Sequence, residues 1–82
     1  MNNIETTENA KKKAIKYNVT KKLEKQAKKL ASNTKDASLY FRPLIKQKKD
    51  EVWKFRLDKH YWGLVTKTGP NSLRIYDVIK HL

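Results

Sequence analysis

Val52-Trp53-Lys54-Phe55-Arg56-Leu57, followed after Asp58-Lys59-His60 by Tyr61-Trp62-Gly63-Leu64-Val65-Thr66, is the stretch that decides the fold. Its first half alternates: Trp53, Phe55 and Leu57 fall on one side of an extended chain, and Val52, Lys54 and Arg56 on the other. That two-residue period marks a strand with one buried face. The three polar residues between the halves read as a tight turn, so the second half returns beside the first as a hairpin. Downstream, Thr68-Gly69-Pro70-Asn71 is another turn signal. It leads into a strand over residues 73–80, with Leu73, Ile75 and Ile79 expected on the core side and Arg74, Tyr76, Val78 and Lys80 opposite. Upstream, residues 38–45 read as a strand containing Pro43, which has no N–H for a ladder and belongs at a sheet edge. The result is a meander of four strands.

A sheet with one apolar face must cover it, and the preceding sequence supplies the cover. Nine lysines precede Thr34, with no Gly or Pro among them. Val19, Leu23, Ala27, Leu30 and Ala31 form one stripe at helical spacing, which predicts a helix over 20–32, with Thr20 or Asn18 as N-cap and Ser32-Asn33 as the stop. Ala10, Ala14 and Tyr17 form a weaker stripe and predict a first helix over 7–17. The expected architecture is α+β: a helical hairpin (7–33) packed on one face of a four-stranded, mainly antiparallel sheet (38–81). Residues 1–6 read as a disordered lead-in, and 1–82 as a single domain.

The chain has 82 residues, with 20 Lys+Arg against 8 Asp+Glu and a formal charge of +12. So short a chain buries only about 60–65% of the surface it exposes when unfolded, and its core must be compact. With no cysteine there is no disulfide, thiol nucleophile or Cys-based zinc site, and His60 and His81 are the only imidazoles. Neither a metal nor another cofactor is expected. Two glycines cannot make a phosphate-cradling loop, and no spacing nominates a serine triad. The polar, acidic opening is unlike a secretory signal, and no apolar run approaches the roughly 20 residues that cross a bilayer, so a cytoplasmic protein without a membrane partner is expected. Such a charge selects polyanions, chiefly nucleic acid. The helix-free face of the sheet would offer Lys54, Arg56 and Arg74, extended by Arg42 and Lys80. Trp53 and Phe55, on the alternating apolar side, read as core rather than as base-stacking platforms.

Leu39-Tyr-Phe-Arg-Pro-Leu44, Val52-Trp-Lys-Phe-Arg-Leu57, Tyr61-Trp-Gly-Leu-Val-Thr66 and Ser72-Leu-Arg-Ile-Tyr-Asp-Val-Ile-Lys-His81 resemble the strand succession of RelE/ParE-type toxins, and Leu30-Ala-Ser-Asn-Thr34 is similar to the segment that closes their helical hairpin. The resemblance implies a toxin that binds the ribosome and cuts mRNA without a metal, neutralised by an antitoxin protein. Arg56 and His81 would be its catalytic residues, and Lys54, Arg74, Lys80 and Arg42 would bind RNA. Trp62 stands where the third strand of the family opens with arginine, and Leu82 where a tyrosine follows the terminal histidine. A basic domain of the same fold that binds RNA, DNA or a protein target such as gyrase without cleaving anything is therefore the alternative. The first strand usual in the family has no counterpart in the reading of residues 1–6.

Overall fold

The computed structural model describes residues 3–33, 35–43 and 52–80. The elements in chain order are β1 (Asn3–Thr6), α1 (Glu8–Lys16), α2 (Thr20–Ser32), a 3-10 turn (Ala37–Leu39), β2 (Arg42–Pro43), β3 (Val52–Arg56), β4 (Tyr61–Gly69) and β5 (Ser72–Lys80). The two helices cover one face of a five-stranded mixed sheet of order β1-β5-β4-β3-β2.

The helical hairpin forms where the spacing places it. Thr7 caps α1, its hydroxyl accepting from the Ala10 N–H at 3.2 Å, and Asn18 makes the turn in the left-handed region, which asparagine tolerates well. Val19 rather than Thr20 or Asn18 occupies the N-cap of α2, and no side chain caps that end. Ala10, Ala14, Val19, Leu23 and Leu30 are buried against Phe55, Leu57, Val65, Leu73, Ile75 and Val78. Gln26 is buried too, on the same stripe of α2. Its amide donates to the Arg56 carbonyl at 2.7 Å and to the Ser38 carbonyl at 3.2 Å, so a polar core residue ties α2 to β3 and to the 3-10 turn.

Four expectations are corrected. Residues Asn3–Thr6 are not a disordered lead-in: they pair in parallel with β5, Asn3 opposite Ser72 through Thr6 opposite Ile75, and make the sheet five-stranded and mixed. The strand expected over 38–45 is for the most part something else. Asp36 accepts from the Ser38 N–H at 2.9 Å and starts the 3-10 turn, Tyr40 then adopts φ 47°, and among the described residues of this stretch only Arg42–Pro43 pair with β3, residues 44–45 lying outside them. Pro43 does lie on an edge strand. In β5, Leu64 faces Asp77 while Val65 faces Ile75, leaving Tyr76 as an extra bulged residue. The bulge resets the alternation, so Val78 enters the core in place of Ile79. It also puts Lys80 opposite Tyr61, on the helix-covered side, because Tyr61 stacks on Tyr17 at 4.8 Å.

The β3–β4 turn is held by Asp58. Its carboxylate accepts from the N–H groups of His60 (2.7 Å) and Tyr61 (3.0 Å) and pairs with Lys22 of α2 at 2.7 Å. Partial burial alone would raise its pKa, but the Lys22 ammonium and the two N–H donors outweigh that and hold it below the usual aspartate value. A depressed folded-state pKa stabilises the protein above the unfolded value, about 3.9, and that contribution fades as pH falls through the folded one. Asp58→Ala should cost about 1–3 kcal/mol at neutral pH, and the gap from wild type should narrow below about pH 4 in urea titrations. A gap that is constant from pH 7 to 3 would show that its charge contributes nothing.

Candidate nucleic-acid interface

Cross-strand register sorts the cations of the sheet. Phe55 opposes Gly63 and Trp53 opposes Val65 on the helix side, so Lys54 (opposite Leu64) and Arg56 (opposite Trp62) stand on the helix-free face. Arg42 opposes Lys54 from the edge strand and joins them. Arg74 is on the same face, opposite Thr66, but β4 separates it from Lys54, and Glu5 of β1 holds its Nε at 2.8 Å. Lys80 lies on the other side. His81 lies outside the described residues.

Two of the three neighbouring cations, Lys54 and Arg56, are organised by aromatic rings. Lys54 Nζ sits 4.7 Å from the centroid of Trp62, and the Arg56 guanidinium carbon 5.0 Å from that of Tyr40. The two rings meet edge to face at 6.5 Å. Ring faces are negative and attract the cations, which orders two otherwise mobile side chains. Arg56 is fixed twice more: its Nε donates to the Asp58 carbonyl at 3.2 Å, and its own carbonyl accepts from Gln26. Tyr40 reaches it because the left-handed backbone after the 3-10 turn swings the ring outward, where it remains 45% exposed.

On the α2 side, Arg56 and Tyr40 open onto a groove of about 690 Å³ lined by Lys22, Lys25, Lys29 and His60. Beyond Tyr40, a second depression of about 720 Å³ is lined by Phe41, Arg42, Trp53 and Lys67. Tyr40 is thus the ridge between two hollows with positive rims. A guanidinium and an ammonium held a strand position apart can each take phosphate oxygens, the guanidinium two at once. Among the described residues, no group of three or more His, Cys, Asp or Glu gathers to hold a metal ion. No helix is long and apolar enough to cross a membrane.

Sequence reasoning missed Tyr40, Gln26 and His60. Tyr40 falls inside the strand expected over 38–45, Gln26 is a polar residue of a lysine-rich helix, and His60 belongs to the expected turn. The stripe position of Gln26, three residues after Leu23 and four before Leu30, is the signal that could have found it.

No family model matches this sequence, and no curated protein does either. Solved structures do match. A YoeB/ParE toxin from Agrobacterium tumefaciens superposes with a TM-score of 0.74 at 10% identity, over 98% of this chain and 99% of that one. A YoeB dimer from Staphylococcus aureus gives 0.72 at 15% identity, over 99% of this chain and 98% of that one. The chain therefore has the fold of the RelE/ParE-type toxins, and the resemblance carried by the strand succession is borne out at that level. The five-stranded mixed sheet, with its parallel first strand, belongs to this shared architecture rather than to the four-stranded version expected.

Proposed function

We propose that the protein is a toxin of the RelE/ParE type that binds RNA at the ribosome through the Arg42–Lys54–Arg56 surface and cleaves it. The observation that carries this reading is the pair of ring-held cations, Lys54 on Trp62 and Arg56 on Tyr40, on the helix-free face of a fold shared with YoeB/ParE toxins. In this reading the RNA's 2′-hydroxyl loses its proton and attacks the adjacent phosphorus, the Arg56 guanidinium meets the charge that grows on the phosphorane, and the P–O5′ bond breaks as the departing 5′-oxygen takes up a proton, leaving a 2′,3′-cyclic phosphate and a 5′-hydroxyl. Proton transfer is assigned to His81 by the resemblance, and His60, which lines the groove beside Arg56, is the imidazole next in line. No cofactor is part of the reading. An antitoxin protein is the proposed partner in a cytoplasmic setting, by analogy of fold. Lys80 and Arg74 have smaller shares, the first by its side of the sheet and the second by its pairing with Glu5.

One observation favours a second reading, binding of RNA, DNA or a protein target such as gyrase without cleavage. Where the resemblance expects an arginine, Trp62 fills the position and packs against Lys54 and Tyr40, which removes one cation from the phosphate site. Toeprinting of translated mRNA with the purified wild-type protein separates the two. New 5′ ends at ribosome-bound codons support cleavage. A stall without new ends supports binding alone, and neither effect, with supercoiling by gyrase blocked, moves the target to DNA topology.

A further inference from the structure

We propose that the hollow beside Phe41 and Trp53 is a base-binding pocket for single-stranded RNA, continuing the track that begins at Arg56 and Tyr40. This rests on the reading that the Lys54–Arg56 surface binds RNA.

Phe41 and Trp53 stack with ring centroids 4.8 Å apart and planes only 7° from parallel. Both are partly buried and packed against the core, so the pair is a rigid stack rather than a pair of mobile surface rings. The hollow it borders, about 720 Å³, is in the range of small-ligand pockets. Lys67 approaches Trp53 to 5.2 Å, and Arg42 lies on the rim toward Lys54. Asp36 also lines the hollow, but its carboxylate is turned to the Ser38 N–H and hydroxyl, which hold its pKa low, and it caps the 3-10 turn. A rigid aromatic stack takes a planar base on an outer ring face, here that of Phe41 because Lys67 covers Trp53, and the adjoining phosphate at Arg42 on the rim, the pattern of single-strand binders that tolerate any base. Trp53 faces the helix side of the sheet, so a strand bound at Arg56 reaches the hollow by turning round the β2 edge past Tyr40 and Arg42, which border it.

A peptide is the less fitting occupant. It would need a strand edge to extend, and among the described residues β2 offers two, one of them Pro43 without an N–H. Stacking needs no such edge.

The test compares a labelled hexauridylate with an abasic ribose-phosphate hexamer by fluorescence anisotropy, across a salt series. Wild type should bind the uridylate at least fivefold tighter. Phe41→Leu keeps apolar volume and should weaken uridylate binding by about 5- to 150-fold, while leaving the abasic affinity and the salt slope unchanged. Phe41→Tyr should restore it, and matched melting curves exclude a folding defect. Equal affinity for both hexamers, or a Phe41→Leu protein that binds uridylate like wild type, overturns the pocket. If Arg56→Ala still loses affinity and salt slope in that case, the RNA-binding reading survives. Phe41 dependence with no effect of Arg56→Ala keeps the pocket and removes that reading instead. An acidic peptide that binds in a Phe41-dependent way when neither hexamer does overturns the pocket in favour of a protein partner.

Discussion

Phe55→Ala is expected to leave most of the protein unfolded at 37 °C. Phe55 is fully buried, and its β4 partner across the ladder is Gly63. The glycine is there because the ring lies over it: a Cβ built on Gly63 would come within 2.6 Å of the Phe55 ring Cζ, closer than real contacts allow. The ring therefore fills the space that β4 vacates, within the core cluster to which Leu23 and Leu30 of α2 belong. Deleting it removes the transfer free energy of an aromatic side chain and leaves a cavity, together about 3–5 kcal/mol. In a chain of this size the whole stability is of that order. Gly63→Ala attacks the same contact from the other strand and should cost about 1–3 kcal/mol, since a fully buried ring has nowhere to move. Ile15→Ala, at a position 70% exposed, should be near neutral. Urea titrations followed by circular dichroism would measure all three, and a Phe55→Ala midpoint within error of wild type would remove this account of the core.

The hairpin at residues 52–66 was legible because both of its signals are local: a two-residue period and a polar turn. The same holds for α2, whose stripe is strong enough to override nine lysines' worth of polar context in the N-terminal third. What escaped depends on contacts remote in sequence. Asn3–Thr6 has one apolar residue, Ile4, and becomes a strand only because β5 offers it an edge and Arg74 offers Glu5 a partner. The bulge at Tyr76 cannot be read from β5 alone, because an extra residue is defined by the strand opposite. Its omission displaced Lys80 into the basic face and Ile79 into the core. Tyr40 was hidden for a different reason: an αL tyrosine has no sequence signal, and its position follows from the Asp36 cap and from Gln26 holding the Ser38 carbonyl. The basic face was thus legible as a charge pattern, but the rings that organise it were not.

That organisation sets the second large effect. Arg56→Ala should reduce RNA cleavage by about a hundredfold or more if the protein cuts RNA, and weaken RNA binding in either reading. Two contacts fix this guanidinium before any ligand arrives, the Tyr40 ring and the Asp58 carbonyl, and the Gln26 bond to the Arg56 carbonyl fixes the backbone behind it. A preordered cation loses little entropy on meeting a phosphate and needs no reorganisation as charge grows on the phosphorane, which is why its loss should exceed that of a mobile surface lysine. Binding isotherms at several salt concentrations should show the logarithmic slope falling in magnitude by about 0.7 for Arg56→Ala, one single-strand phosphate contact, and by a similar amount for Lys54→Ala. Arg74→Ala should change it less, because Glu5 already compensates that charge, and Glu5→Gln should instead steepen the slope and tighten binding. Gln26→Leu separates position from charge: it keeps every cation but releases the backbone behind Arg56, so it should lower cleavage or affinity with the salt slope unchanged. An Arg56→Ala protein with wild-type slope, affinity and cutting would mean that RNA does not meet this face, and equal effects of Arg56→Ala and Arg74→Ala would mean that charge alone, and not the aromatic scaffold beneath it, decides binding.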